Sequence, residues 1–113
     1  MMLTKLGVDP QVDFVPHAVI GRSASYLQHH NKVEFTEGAD DLDRFEGALL
    51  KLDDEVPIAL RHYAGHTENT VTVYIPSEYT DVDVITRIIA LLSKELQLQR
   101  EDILWQRAQD PDL

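Results

Sequence analysis

A stripe of apolar residues between positions 82 and 96 is the feature that most constrains the fold of this chain. Its members recur at spacings of three and four residues, the period of one helix face, and are Val82, Ile85, Ile88, Ile89, Leu92 and Leu96. Thr80 is a suitable N-cap, and Asp83 follows three residues later, as in a capping box. The pattern predicts an amphipathic helix over about 81–97 that supports the core.

The segment before this stripe predicts a β-hairpin. Residues 70–75 alternate between apolar and polar side chains, most of them β-branched or aromatic, and Pro76 ends the pattern. Residues 57–63 alternate in the same way, and the linking segment 64–69 contains Gly and Asn, which suit loop conformations. Two alternating runs joined by such a loop are typical of antiparallel strands.

A third strand is predicted over about 46–52, with a tight turn at 53–55 into the hairpin. The same region also fits a helical period, through Leu42, Phe45, Leu49 and Leu52, with Asp41 as a cap. We favour the strand because it gives the hairpin a paired neighbour. A helical turn over 41–45 before this strand stays open as an alternative.

The two ends of the chain give weaker patterns. After a turn at 98–102, residues 103–107 predict a last strand at a sheet edge, and 108–113 reads as a frayed polar tail. Residues 1–37 are hard to interpret: 32–36 alternates like a strand, and 18–30 resembles a helix weakened by Gly21 and two serines.

Together these elements predict one α+β domain over residues 1–113. Its small antiparallel sheet is expected to be a three-strand meander with possible edge strands, packed on one C-terminal amphipathic helix. One helix covers one face of a sheet, so the opposite face must meet water, the N-terminal segment or another subunit.

The charge of the chain narrows the classes of partner. Twenty Asp and Glu outnumber ten Lys and Arg, giving a net charge of −10, which repels phosphate backbones and anionic lipid. We therefore expect no nucleic acid and no membrane as partner, in line with the lack of an apolar run approaching about 18 residues. The segment from Met1 to Leu6 is too weakly apolar for a secretion signal, so we expect a cytoplasmic protein.

Residue types and spacings also bear on catalysis. The chain has no cysteine, which excludes disulfides, thiolate metal ligands and cysteine nucleophiles. Its five glycines form no phosphate-binding loop, and the segment 21–25 lacks the last glycine of a nucleophile elbow. His62 and His66 are four residues apart, but in a strand and loop this spacing does not form a metal site. We predict no catalytic residue, no metal and no cofactor.

The favoured interpretation is a small acidic protein-interaction or regulatory module without catalytic activity. The acidic clusters at 37–46 and 53–55 are best interpreted as solvated loops, with a docking patch for a basic protein or a weak calcium or magnesium site as alternatives. Tyr63, Tyr74 and Trp105 are the candidate interface residues, because Tyr and Trp are enriched at binding hot spots. A homodimer through the uncovered sheet face or an edge strand is a further expectation.

The alternative is a small ligand-binding domain or enzyme with a site beside the hairpin loop. Its polar groups would be Arg61, His62, His66 and Glu68. Arginine binds carboxylates, and histidine exchanges protons near neutral pH. This hypothesis requires a concave surface that brings the four side chains together.

Overall fold

Seven antiparallel strands and two helices form the part of the chain that the computed structural model describes, residues 3–6, 11–39, 44–53, 55–65 and 69–107. In chain order they are β1 (Leu3–Lys5), β2 (Phe14–Ile20), α1 (Ala24–Asn31), β3 (Thr36–Ala39), β4 (Arg44–Leu52), β5 (Val56–Tyr63), β6 (Val71–Pro76), α2 (Val82–Glu95) and β7 (Ile103–Gln106). The predicted α+β class is confirmed. The predicted numbers of strands and helices were wrong. The sheet is larger than a three-strand meander, and α1 is a second helix.

The strands lie side by side in the order β1, β4, β5, β6, β2, β7. β5 runs along one edge of β4 over residues 45–52. The other edge of β4 is shared, with β1 on residues 50–52 and β3 on residues 44–47. The predicted meander is therefore confirmed as β4, β5 and β6, and it forms the middle of the sheet.

The turn between β4 and β5 is as tight as the sequence predicts. Leu52 pairs with Val56, and the Glu55 N–H donates to the Leu52 carbonyl at 3.0 Å. Asp53 has a φ of 54°, in the left-handed region that Asp tolerates better than most residues. Arg44 and Phe45 belong to β4, so no helical turn extends to them, and residues 40–43 lie outside the described part of the chain.

The helix predicted near the C-terminus is α2, and its N-cap is Asp81 in place of Thr80. The Asp81 carboxylate accepts the backbone N–H groups of Asp83 at 2.9 Å and Val84 at 3.3 Å. The aspartate carboxylate thus satisfies two of the donors that a helix start leaves unpaired. Asp83 in the first turn adds negative charge at the positive end of the helix dipole.

The apolar stripe of α2 lies in the core from its second turn onward. Val82 is 56% exposed, whereas the later members of the stripe are at most 5% exposed: Ile85, Ile88, Ile89, Leu92 and Leu96. They pack in one cluster with alternate residues of the sheet: Ala18, Ile20, Ala48, Leu50, Leu52, Ile58, Leu60, Val71, Val73 and Ile75. We call this helix-covered side the inner face and the opposite side the outer face.

Helix α1 packs on the same inner face. The Ser23 hydroxyl caps its N-terminus by accepting the Tyr26 N–H at 3.0 Å, and Lys32 ends it with a φ of 59°. Ala24 and Leu27 are its two buried residues, and both join the core cluster. The predicted helix over 18–30 began too early, because residues 18–20 belong to β2.

The N-terminal strands were the least predictable. β2 pairs with β6 on one side and with β7 on the other, although its register shifts between Pro16 and Ala18. This irregularity breaks the period-two pattern by which strands are recognised. The strand predicted over 32–36 was displaced, since β3 covers Thr36–Ala39.

The last strand, β7, lies at the predicted sheet edge. None of the described helices combines the length and hydropathy needed to span a membrane.

Asp102 ties the end of β2 to the start of β7. It is 9% exposed, and its carboxylate lies 3.1 Å from the Arg22 guanidinium and accepts the Gln99 N–H at 2.8 Å. Its backbone carbonyl accepts the Gly21 N–H at 2.7 Å. The Arg22 guanidinium also lies 4.6 Å from the centre of the Tyr26 ring. Asp102 therefore connects the segment between β2 and α1 to the segment that precedes β7.

We expect Asp102→Ala to lower the free energy of unfolding by about 2–3 kcal/mol, because it removes charge-assisted hydrogen bonds and strands a half-buried guanidinium. Urea unfolding followed by circular dichroism measures the change. Glu101→Ala, at the exposed neighbouring position, is the matched control and should stay within about 0.5 kcal/mol of the parent. Equal effects of the two variants would contradict a linking role for Asp102.

Candidate functional site

Arg61 lies in the middle of the outer face, enclosed by aromatic rings. Its guanidinium carbon is 4.7 Å from the centre of the Phe45 ring and 5.0 Å from that of Tyr74. Its Nη1 donates to the Tyr63 hydroxyl at 3.2 Å. Cation–π contacts on two sides and a phenol oxygen hold the guanidinium in place.

Strand alternation explains this grouping. Arg61 and Tyr63 are two residues apart on β5, so both point to the outer face. Phe45 is paired with Tyr63 across β4 and β5, and their rings are 5.4 Å apart at 59°. Tyr74 is on β6 and pairs with Ala59 of β5. It is therefore a diagonal neighbour of Arg61, which lies two residues further along β5. The sequence indicated Tyr63, Tyr74 and Arg61, but Phe45 was not recognised as part of their site.

Trp105 occupies the same face at the β7 edge. It pairs with Val19, and Val19 pairs with Thr72, which places all three on the outer side of the sheet. The Arg107 guanidinium lies 5.5 Å from the centre of the indole ring. Tyr63, Tyr74 and Trp105 are each half-buried. The three residues predicted for an interface therefore share one surface, which we call the aromatic face together with Arg61 and Phe45.

The polar residues predicted for a loop site do not converge. Arg61 and His62 are neighbours on β5 and point to opposite faces of the sheet. The His62 Nδ1 is 2.8 Å from the Thr70 carbonyl, so this nitrogen carries the proton that it donates there. His66 and Glu68 lie outside the described residues. Within the described part of the chain, Arg61 and His62 serve separate surfaces.

A groove of about 440 Å³ adjoins Arg61 on the outer face. Its apolar lining comes from the N-terminal segment and from two central strands, and includes Leu6, Val12, Phe14, Phe45, Leu49 and Ala59. Small residues, among them Gly47 and Ala59, also line the groove. Sequence patterns gave no indication of this groove, because small residues in a strand do not signal a cavity.

The Phe45 ring lies over two glycines at the groove. A Cβ atom on Gly47 would be 2.8 Å from the ring, and one on Gly38 would also be 2.8 Å away. Gly38 is the cross-strand partner of Phe45. Both glycines therefore allow the ring to lie against the sheet beside Arg61, an arrangement in which an aromatic ring covers strand glycines.

We expect Gly47→Ala to lower the free energy of unfolding by about 1–3 kcal/mol, because the new methyl group overlaps the Phe45 ring. In the Phe45→Ala background the same change should cost less than about 0.5 kcal/mol, since its obstacle is gone. Chemical unfolding of the four chains in this double-mutant cycle measures the coupling. Equal costs in both backgrounds would show that the ring does not lie over Gly47.

Charged side chains of both signs lie around the outer face. Among the described strand residues that point to it, none is Asp or Glu, whereas Lys51 and Arg61 are basic. Glu34 and Glu37 nevertheless line the groove together with Lys5 and Arg61.

A row of polar residues lies on the inner side near the end of the sheet. Glu37 pairs with Glu46 across β3 and β4, and Glu46 pairs with His62 across β4 and β5. Both glutamates are exposed, which limits the repulsion between them. The row borders an open depression of about 700 Å³. The described residues contain no cluster of three acidic or histidine side chains that fits a metal ion.

His17 is a buried titratable residue at the register shift of β2. It is 7% exposed, and its Nδ1 has no hydrogen-bond partner among the described residues. Burial lowers the pKa of His17 below its usual value of 6.5, and the charge of Arg107 lowers this pKa further. The Arg107 Nε donates to the neighbouring Pro16 carbonyl at 2.9 Å, which fixes this positive charge near the imidazole.

The lowered pKa makes stability depend on pH. The unfolded chain takes up a proton at His17 near pH 6.5, and the folded chain does so only at lower pH. The free energy contributed by neutral His17 is therefore complete above pH 6.5 and is lost as the pH falls toward the lowered pKa, by at most about 1.4 kcal/mol per pH unit.

We expect His17→Gln to reduce the fall in unfolding free energy between pH 7.5 and 5.5, each measured by urea titration, because the variant has no imidazole to protonate. Gln28→Ala, at an exposed position of α1, should leave this pH dependence as in the parent. If His17→Gln and the parent lose stability in parallel as the pH falls, the proposed effect of His17 is wrong.

Comparisons of the chain with protein-family models, with curated proteins and with solved structures give no significant match. Its function therefore has to be inferred from its own residues. The arrangement that stands out among the described residues is an aromatic sheet face around Arg61, beside a groove with an apolar lining.

Proposed function

We propose that this chain is a protein-interaction module without catalytic activity, and that the aromatic face is its binding surface. The observation that carries the proposal is the position of Arg61 between the rings of Phe45 and Tyr74, on a sheet face that bears neither α1 nor α2. Arg, Tyr and Trp are the residue types most enriched at binding hot spots.

The partial exposure and restricted rotamers of these side chains favour binding. Tyr63, Tyr74, Trp105 and Arg61 are half-buried, so each keeps exposed surface while its rotamer is restricted by neighbours. Ordering a flexible side chain at an interface costs about 0.5–1.5 kcal/mol. The cation–π contacts and the hydrogen bond from Arg61 to Tyr63 remove part of this cost before a partner arrives.

The overall charge supports a basic partner. A net charge of −10 attracts basic proteins over distances comparable with the Debye length, about 8–10 Å in physiological salt. Long-range attraction raises the rate of association, whereas the contacts of the aromatic face set the lifetime of the complex. A homodimer through the same face is a second hypothesis, and it must overcome repulsion between two acidic chains.

We expect a photo-crosslinking amino acid at Thr72 to capture the partner in the cells that make this chain. Thr72 is on the outer face opposite Arg61 and leaves the aromatic residues unchanged. The expected result is one adduct of defined mass, identified by mass spectrometry. An adduct of twice the chain mass would identify the partner as a second copy.

The matched control places the same amino acid at Ala90, an exposed position on α2 at the other side of the sheet. The adduct seen from Thr72 should be absent from this chain. Identical adducts from both positions, or adducts from Ala90 alone, would show that the aromatic face is not the binding surface. With the partner identified, its association rate should fall as salt concentration rises.

A further inference from the structure

We propose that His17 and Arg107 form a pH-sensitive latch, in which protonation of His17 releases β7 from the edge of the sheet. His17 lies on β2 and Arg107 directly follows β7, so the pair spans the ladder between these two strands. The opening itself is independent of the proposed function. Its effect on binding rests on that function, because Trp105 of β7 belongs to the aromatic face.

The imidazole of His17 is enclosed in a place that does not accommodate a charge. The side chain is almost fully buried, and no described residue forms a hydrogen bond with its Nδ1. It lies where β2 shifts register against β6, between Pro16, which pairs with Tyr74, and Ala18, which pairs with Val73. Protonation makes both ring nitrogens donors and adds a positive charge that is not solvated there.

Arg107 places a second positive charge beside this imidazole. Its Nε donates to the carbonyl of Pro16, the residue before His17, at 2.9 Å. From β6, Val73 and the phenol of Tyr74 lie across the register shift and offer no carboxylate. Burial first, and then the charge of Arg107, lower the pKa of His17 below 6.5. Protonated His17 and Arg107 therefore repel each other while β7 is in place.

The strand that can move away is β7. It is the last strand at one edge of the sheet, and none of its four residues is buried. Its pairing with β2 changes register between Val19 and Ile20, which interrupts the regular ladder. Its start is held because Asp102 is paired with Arg22 at 3.1 Å. Local opening begins where little surface is buried, so we expect β7 to open from the Arg107 end.

The linkage between protonation and opening fixes the direction of the pH effect. Opening brings the imidazole into water and separates it from Arg107, so the pKa of His17 returns toward 6.5. The open form therefore binds the proton more tightly than the closed form. The equilibrium constant for opening rises as the pH falls below 6.5, by at most about ten-fold per pH unit.

Native-state hydrogen exchange, followed by NMR on the unaltered chain, tests the latch. The protection factor of an amide compares its measured and intrinsic exchange rates, so the direct effect of pH on exchange cancels. We expect the protection of the β7 amides that pair with β2 to fall by at least about three-fold between pH 7 and pH 5.5.

Low concentrations of urea distinguish the opening of β7 from unfolding of the whole chain. A local opening exposes little surface, so the protection of the β7 amides should hardly change with urea. The amides of the β4–β5 ladder should have higher protection that decreases as urea is added, because they exchange through global unfolding.

Three variants separate the two members of the latch from other charged groups. His17→Gln should abolish the effect of pH on β7 protection, because it has no imidazole to protonate. Arg107→Gln should reduce this effect without abolishing it, since burial remains the larger cause. His29→Gln, at an exposed position of α1, is the matched control and should retain the full fall in protection.

Three results would overturn the inference: protection in β7 that does not fall with pH, the same protection and urea dependence for β7 as for the β4–β5 ladder, or an equal fall in His17→Gln and the parent. Each of these is compatible with a specific crosslink from Thr72. The absence of that crosslink leaves exchange in β7 unaffected, so the latch and the interaction module fail separately.

Discussion

The burial of the α2 stripe against the inner face is the interaction on which the rest of the structure depends. Ile88, Leu92 and their neighbours on α2 contact alternate residues of β4, β5 and β6, and this fixes which side of each strand faces the core. Because the side-chain period of a strand is two, the same choice fixes the residues of the opposite face. Arg61 and Tyr63 point outward because Leu60 points inward.

Helix α1 reinforces this one-sidedness, since it adds Ala24 and Leu27 to the core that α2 already occupies. Neither of the two described α-helices therefore lies on the outer face, which is shaped by strand side chains and by the N-terminal segment. Aromatic rings close over small residues there, and the cation of Arg61 is held between them. The outer face thus combines apolar area, side chains held by their neighbours and the charge of Arg61.

Local periodicity explains what could be predicted from the sequence. The helix at 82–95 and the strands at 44–52, 56–63 and 71–76 carry patterns of full length, and each was recognised within a few residues. β1, β2 and β3 were not, because β1 has three residues, β2 is interrupted near Pro16, and β3 contains a single half-buried position. Their strand conformation is set by partners distant in sequence.

The candidate site shows the same division. Tyr63, Tyr74 and Arg61 could be placed on one face from alternation alone, whereas Trp105 depended on the pairing of β7 with β2. Phe45 was missed because its role depends on Gly38 and Gly47, two residues without side chains. Asp102 was missed for a similar reason: its partner Arg22 is 80 residues away, and no local motif connects the two.

The position of β2 in the sheet has a consequence for the synthesis of the chain. Phe14–Ile20 leaves the ribosome before either strand that pairs with it, because β6 and β7 both come from residues after 70. Its apolar residues and its backbone donors therefore stay uncovered by these strands until at least residues 71–76 have been made. The register shift at His17 belongs to the pairing with β6, so it too can form only at that stage.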